Sequence, residues 1–161
     1  MACFAVLPLL RSAEAALDYP ELRGLAEQND RMPVFKMENA VRMQELTEGN
    51  GETKVQDGSL VSLKYVLRRS NGYFIDASYG FDRFDTFTFR VGSGQVVEGF
   101  EAGVRGMREG GRRRFIVPPE MGYVKGTRGA GPIPPDFGAK RSLGSHAKEP
   151  LIFEVEVVKV R

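Results

Sequence analysis

The sequence has few of the residues on which several catalytic chemistries depend. Its 161 residues include one cysteine, one histidine and no tryptophan. A single thiol, Cys3, cannot form an internal disulfide, and with only His146 beside it no Cys/His zinc cluster can be assembled. His146 lies in a Gly/Ser/Lys-rich segment without a nucleophile elbow, which favours a solvated loop histidine over a triad member. We therefore predict that any catalysis works without metal, covalent nucleophile or imidazole.

An excess of one charge is also missing. Lys and Arg number 23 and Asp and Glu number 21, so the net charge is only +2 and gives no reason to expect a nucleic-acid-binding protein. The length predicts one domain, or one domain with a tail. Hydrophobic residues make up 42% of the chain, and the 11 Phe and 5 Tyr are enough to build a core.

The first residues differ from the rest of the chain. The apolar run Ala2–Leu10 is too short to span a bilayer, and it is followed by the small-residue pattern Ala13–Ala15. This order resembles an export signal and its cleavage site, although no basic residue precedes the run. The alternative is an N-terminal helix or strand packed on the domain. We expect a signal- or transit-like segment at 1–16, a polar extension at 17–40 and a domain at 41–161.

Alternation of apolar and polar residues predicts antiparallel strands over most of that domain. Val61, Leu63, Tyr65 and Leu67 point one way and the residues between them the other, as in a half-buried strand. Asn71-Gly72 is a hairpin signal. Further strands are predicted at 73–77, 86–91, 112–117 and 151–157, and residues 41–46 are expected to open the sheet. Because every predicted element follows residue 37, deleting residues 1–37 is expected to cost little.

A single helix is predicted after the Gly-rich turn Gly92–Gly94. Spacings of three and four define its apolar face, and Gly99 and Gly103 would let it lie close against the sheet. Residues 118–150, rich in Gly and Pro, are expected to form a long loop. The fold class is therefore α+β, an antiparallel sheet of five or six strands with one short helix laid across its concave face. The apolar face of the predicted helix is formed by Val97, Phe100, Val104 and Met107.

The segment from Val91 to Gly111 carries the most specific pattern of the chain. A strand end, the turn Gly-Ser-Gly, the run Val-Val-Glu-Gly-Phe-Glu-Ala-Gly, a Met and a second Gly-rich turn follow in this order. The pattern resembles that of FKBP-type peptidyl-prolyl cis-trans isomerases, and the likeness covers about residues 41–161. It continues through Val61–Tyr65, Ile75–Ser78, Phe115–Pro119, Gly122-Tyr123, Ile133–Pro135 and Leu151–Val157. The resemblance implies a half-barrel sheet wrapped on one short helix.

The resemblance also implies an aromatic pocket for a proline ring. The competing interpretation is that these residues are only core, which we favour for Phe89 and Phe115. By position, the implied roles are side walls for Tyr65, Phe87 and Tyr123, a rim for Val96 and Val97, a floor for Phe100, a buried polar group for Asp76, a loop contact for Ile133, and a wall on the last strand for Phe153.

The implied activity is rotation about X-Pro bonds in proline-containing protein or peptide clients, without cofactor or metal, by a monomer that assists folding. Macrolide inhibitors are implied as possible ligands, and nucleic acid and stable membrane insertion are not expected. Three departures predict slow turnover: Phe100 where the family usually has Trp, Gln95 for Glu, and Ile75 for Phe. A longer segment at Gly138–Glu149 adds to them. The signal-like start resembles family members of the plant thylakoid lumen, with the bacterial periplasm as the alternative.

Two other functions remain open at this stage. One is a non-catalytic peptide-binding or assembly module that kept the fold and lost the rate. The other is binding of an acidic partner or nucleic acid through a cluster of arginines. A solvated face is the favoured interpretation of that cluster, because Glu101 and Glu109 lie within it. The arginines are Arg105, Arg108, Arg112, Arg113 and Arg114.

Overall fold

An antiparallel sheet forms the framework of the protein in a computed structural model that describes residues 34–36, 40–80, 83–127 and 129–161. The predicted segment 1–16 and most of the predicted extension lie outside the described residues. The described elements are β1 (Val34–Lys36), β2 (Arg42–Thr47), β3 (Leu60–Arg69), β4 (Phe74–Ala77), β5 (Tyr79–Gly80), β6 (Arg83–Phe84), β7 (Phe87–Arg90), α1 (Glu98–Val104), β8 (Arg112–Val117), a 3-10 turn (Pro119–Met121), α2 (Phe137–Ser145) and β9 (Leu151–Val160).

Seven strands occupy six positions across the main sheet. The order is β1-β2-β8-β9-β3, and β4 and β7 both pair with β3. Strands β4 and β7 lie one after the other along the same edge of β3, because β7 pairs with Leu60–Leu63 and β4 with Val66–Arg68. Strand β9 pairs with the opposite edge of β3. The short strands β5 and β6 form a separate hairpin. The predicted α+β class and antiparallel sheet are confirmed.

Period-two patterning determines which side of the sheet is buried. Along β3, Val61, Leu63, Tyr65 and Leu67 are at most 3% exposed, whereas the residues between them are half-buried. Strand β9 repeats this pattern through Leu151, Phe153, Val155 and Val157. Apolar side chains of neighbouring strands therefore share one face, and that face carries the core.

Helix α1 packs on this face through its small residues. A Cβ added to Gly99 would overlap the side chain of Val117, and one added to Gly103 would overlap the ring of Phe115. Both glycines are therefore required by the close approach of α1 to β8, as their spacing predicts. On the same helix Phe100 and Val104 are fully buried.

Substituting Gly103 is expected to destabilise the protein despite the higher helix propensity of alanine. Gly103→Ala must move α1 or the Phe115 ring, at a cost of about 1–3 kcal/mol in the free energy of unfolding. Gly144→Ala is the matched control, because Gly144 lies in α2, is exposed and has no atom within 4 Å of an added Cβ. That variant should match or exceed wild type in thermal unfolding. Equal melting temperatures for both variants would contradict the close packing of α1.

Helix α2 replaces part of the predicted long loop, so that prediction and the prediction of a single helix are wrong. Its N-terminus is capped by Asp136, whose Oδ2 accepts a hydrogen bond from Ala139 N at 2.9 Å. Only Leu143 among its residues is fully buried. One apolar anchor gives little periodic signal, which explains why the sequence pattern missed the helix. His146 ends α2 and is half-buried, with Nδ1 2.7 Å from Ser142 O, so it is not a freely solvated loop residue.

The sheet begins before the predicted first strand. Strand β1 pairs with β2, with Val34 opposite Gln44 and Lys36 opposite Arg42. The expectation that every element follows residue 37 is therefore wrong. Among the described residues, no helix is long and apolar enough to span a membrane.

Removing β1 is expected to weaken the sheet without unfolding it. A chain of residues 38–161 loses the pairing with β2, whereas a chain of residues 33–161 keeps it. We expect the shorter chain to be less stable by about 1–3 kcal/mol, the net value of a few backbone hydrogen bonds. Thermal unfolding followed by circular dichroism compares the two chains. Identical melting temperatures would show that β1 contributes nothing to stability.

Candidate active site

A cluster of aromatic rings centred on Phe100 lies between α1 and the sheet. Phe100 approaches Phe153 with a ring-centroid distance of 5.0 Å, and its further ring neighbours are Phe87, Phe89, Phe115 and Tyr65. Most of these pairs meet edge to face, which is the favourable geometry for aromatic side chains. The predicted floor and three of the predicted walls are therefore brought together. Phe89 and Phe115, predicted as core, lie in the same cluster and are 1% exposed.

Tyr65 and Asp76 form a buried polar pair at one side of the cluster. Tyr65 Oη donates a hydrogen bond to Asp76 Oδ2 at 2.7 Å, and the two residues are 3% and 7% exposed. The backbone around Tyr65 is fixed by Ser78, which accepts from Tyr65 N through its Oγ and donates its own N–H to Tyr65 O. The carboxylate is thus satisfied within the protein. Ser78 was not among the predicted site residues, because nothing in the spacing indicates this contact.

The loop that contains Ile133 closes over the other side of the cluster. Val97 N donates to Gly131 O at 2.8 Å, and Gly131 N donates to Gln95 O at 2.7 Å, which joins this loop to the start of α1. The Gly131-Pro132 bond is cis. A Cβ added to Gly131 would lie 3.6 Å from Phe87 Cζ, so the loop backbone borders that ring. The loop thus positions Ile133 beside the cluster.

Tyr123 is oriented by the same loop. Its Oη donates to Pro132 O at 2.6 Å and the residue is 1% exposed. Burial, and then the nearby Tyr65 and Asp76, raise the pKa of Tyr123 well above its usual value. The hydroxyl therefore keeps its proton and donates it in the hydrogen bond to the carbonyl of Pro132. Among the described residues, Ile133 N has no hydrogen-bond acceptor, so this N–H is the available donor at the loop.

Exposure separates the predicted site residues into two groups. Phe87 and Ile133 are half-buried and present a surface at the border of the cluster. The others are at most 7% exposed and form the interior beneath them. This group consists of Tyr65, Asp76, Val96, Val97, Phe100, Tyr123 and Phe153.

Two of the departures from the family pattern have local structural explanations. Gln95 Oε1 accepts from Arg90 N at 2.8 Å and from Ser93 Oγ at 3.0 Å, so an amide at this position ties the Gly-rich turn together. Ile75 is 5% exposed and belongs to the core, so a β-branched aliphatic side chain takes the predicted place of an aromatic wall.

The arginine cluster is engaged by carboxylates and carbonyls of the protein. Arg112 and Arg114 both contact Glu154, at 3.1 and 3.0 Å. Arg105 pairs with Glu101 and Asp57. The remaining partners are Glu45, Gly103 O and Arg105 O for Arg113, and Gly51 O and Glu52 O for Arg108. These contacts assign the five side chains a structural role. Within the described ranges, no group of three or more His, Cys, Asp or Glu is placed to hold a metal ion.

Comparison with known proteins agrees with this geometry. The family model described as FKBP-type peptidyl-prolyl cis-trans isomerase matches residues 51–158. The chain is 40% identical over 151 residues to peptidyl-prolyl cis-trans isomerase FKBP16-1, chloroplastic, of Arabidopsis thaliana, which covers 89% of this chain and 70% of that protein. The chain therefore belongs to the FKBP-type peptidyl-prolyl cis-trans isomerase family.

Two further relatives extend the comparison. An FK506-binding protein of Neisseria meningitidis serogroup A is 40% identical over 118 residues, which cover 73% of this chain and 94% of that protein. Among solved structures, AtFKBP13 superposes with a TM-score of 0.58 at 26% identity and covers 80% of this chain and 99% of that one. The alignments therefore include most of the domain that the structure describes.

Proposed function

We propose that this protein catalyses rotation about X-Pro bonds in protein or peptide clients, with the proline ring held at the aromatic cluster. The observation that carries the proposal is the border of that cluster, where the half-buried ring of Phe87 lies beside the loop that carries the available N–H of Ile133. An apolar surface next to one backbone donor matches a proline ring followed by a carbonyl.

The physical task requires no proton transfer. Cis and trans X-Pro bonds differ by about 0.5–1 kcal/mol, but rotation must break amide resonance and meets a barrier of ~18–20 kcal/mol. At the twisted midpoint the bond is less polar than in either planar form. An apolar surface that removes water from the amide therefore destabilises the planar forms relative to the midpoint.

Each proposed site residue has a part in this task. The Ile133 N–H would bind a client carbonyl and Phe87 would pack against the proline ring. Phe153, from the interior, would support this wall, and Val96 and Val97 would support the rim from beneath. Phe100 supports the ring from below. Asp76 holds Tyr65 at 2.7 Å and so orients that wall, while Tyr123 fixes the loop through Pro132.

A direct assay tests the proposal. The full chain is added to a peptide with one X-Pro bond, and cis-to-trans conversion is followed by exchange spectroscopy with increasing protein. Acceleration proportional to protein concentration supports the proposal. Binding of the peptide without acceleration would favour the second candidate, a peptide-binding module, which is suggested by the near-complete burial of Phe100 at 0% exposure.

We also propose that turnover is slow and that macrolides such as rapamycin bind weakly. A phenyl at position 100 offers a smaller face than an indole, and poorer contact beneath a ring costs about 1–3 kcal/mol. Phe100→Trp is expected to raise both turnover and macrolide affinity by roughly tenfold, the equivalent of 1.4 kcal/mol. Because Phe100 is fully buried, thermal unfolding is measured on the same samples. A folded Phe100→Trp variant with lower turnover and affinity would refute this explanation.

The remaining assignments are proposals of the same kind. A monomeric protein with a signal- or transit-like segment at 1–16, and an extension at 17–40 that contributes β1 to the sheet, would act on clients in an exported compartment. Similarity to a chloroplastic Arabidopsis protein supports a chloroplast, and specifically the thylakoid lumen is proposed, with the bacterial periplasm as the alternative. Import of the fluorescently tagged full chain into isolated chloroplasts, followed by fractionation, tests this localisation: recovery in the lumen fraction supports the thylakoid lumen, and failure of import favours the periplasm.

A further inference from the structure

A charged cavity of about 330 Å³ lies beside the C-terminal end of α1 and shares no residue with the proposed proline site. Met107, at 2% exposure, forms part of its wall. Three cationic and two anionic side chains line it, so its formal charge is +1. The charged residues are Glu45, Glu48, Lys54, Arg108 and Arg113.

Arg113 lines this cavity and keeps one donor group without a partner among the described residues. The residue is 7% exposed, and it donates through Nε to Glu45 Oε2 at 2.7 Å and through Nη1 to Gly103 O and Arg105 O, both at 2.9 Å. Among the described residues, Nη2 has no acceptor. It is not buried from solvent either, because Arg69 Nε is the one described side-chain atom that is both buried and without a partner. Since Arg113 lines the cavity, we infer that Nη2 is accessible from there.

Two further cations face the same space. Arg108 is held by its Nη1 contacts to Gly51 O at 2.8 Å and Glu52 O at 2.9 Å. Lys54 pairs with Arg108 through the backbone, and within the described part of the chain its ammonium group forms no ion pair. Both side chains are therefore placed at the cavity without a neutralising carboxylate.

The two carboxylates of the cavity differ in how far their negative charge is already offset by a partner. Glu45 is already bonded to Arg113 Nε, so its charge is offset. Glu48 has no ion pair among the described residues and is the one uncompensated negative group at the cavity. An anion placed near Arg113 would therefore meet three cations, one offset carboxylate and one opposing carboxylate.

We propose that this cavity binds a small molecule through an oxyanion, either a carboxylate or a phosphate group, with Arg113 Nη2 as a donor and Lys54 and Arg108 as further cations. A guanidinium donor next to a lysine ammonium matches the chemistry of both groups. An arginine whose other donors are fixed is held in place before the ligand arrives, which lowers the entropic cost of binding. The site is separate from the proposed proline site and does not depend on isomerase activity.

Calorimetric titration of the full chain tests this site with two probes, inorganic phosphate and acetate, at constant low ionic strength. We expect saturable binding of at least one probe with a Kd on the order of 1 mM. Lys54→Gln should weaken binding about fivefold, and Glu48→Gln should strengthen it, because the first removes an attractive charge and the second a repulsive one. Lys125→Gln is the matched control, since Lys125 is exposed and does not line the cavity. Arg113 itself is left unchanged because it also supports the fold.

The two probes separate the possible sources of the oxyanion. Saturation by phosphate alone supports a phosphate ligand, and saturation by acetate supports a carboxylate. The absence of saturation by either probe overturns the proposal. Equal effects of Lys54→Gln and Lys125→Gln overturn it as well, since they would show a general charge effect and no site.

Discussion

Replacing Arg113 by methionine is expected to lower the free energy of unfolding by about 3 kcal/mol. The guanidinium joins β8 to β2 through Glu45 and to the end of α1 through Gly103 O and Arg105 O. Methionine fills similar space but leaves these acceptors without a donor. Removing one partner of a buried charged pair costs about 3–5 kcal/mol, and the partial exposure of Glu45, 34% at its side chain, reduces the penalty toward the lower end.

Arg114→Met is the control for this effect. Arg114 is the next residue on β8, and its side chain is 34% exposed against 8% for Arg113. Its contact with Glu154 is duplicated by Arg112, so Glu154 keeps a partner when Arg114 is removed. We expect a change of about 1 kcal/mol or less for Arg114→Met. Chemical denaturation of the two variants compares them, and an equal loss in both would show that Arg113 contributes no more than a surface pair.

The sequence places these two arginines on opposite faces of β8 but does not reveal the partners of Arg113. Arg112, Arg113 and Arg114 are consecutive, so alternation along β8 assigns Arg113 to the face of Phe115 and Val117. That assignment predicts burial of a charge, which is unfavourable unless partners exist. The partners are backbone carbonyls at the end of α1 and Glu45 on β2, which is 68 residues away in sequence. Long-range acceptors of this kind leave no local pattern.

Elements with a strong period were predictable, and short elements were not. Strand β3 alternates over ten residues and α1 places Phe100 and Val104 on one apolar face, so both follow from local sequence. Strand β1 has three residues and depends on pairing with β2. Helix α2 has Leu143 as its one fully buried side chain, and its cap at Asp136 was the available signal.

The candidate site was also predictable only in part: its residues could be selected from the sequence, but their hydrogen bonds could not. Family resemblance selects the rings that meet around Phe100, because their order along the chain follows the family motif. It does not predict hydrogen-bond directions. The bonds from Tyr123 Oη to Pro132 O and from Val97 N to Gly131 O leave Ile133 N as the donor for a client, and these directions require the folded backbone.

Replacing Phe87 by alanine is expected to reduce kcat/KM for X-Pro isomerisation at least tenfold. Phe87 is the half-buried ring at the border of the cluster, 5.7 Å from Tyr65, 5.9 Å from Phe89 and 6.1 Å from Phe100 between ring centroids. Its loss removes apolar contact with the bound proline and admits water to the amide, which favours the planar forms. The loss of one such contact is equivalent to about 1.4 kcal/mol or more of transition-state stabilisation.

Variants of other residues show whether the loss belongs to the site. Phe137→Ala removes an aromatic ring that is 78% exposed on α2, and His146→Ala changes the end of that helix, so neither should alter turnover by more than about twofold. Asp76→Ala should lower turnover because Tyr65 then loses the acceptor that orients it at 2.7 Å. Thermal unfolding identifies any variant that fails to fold. A folded Phe87→Ala protein with wild-type kcat/KM, or a folded His146→Ala protein without turnover, would place the proline ring away from this cluster.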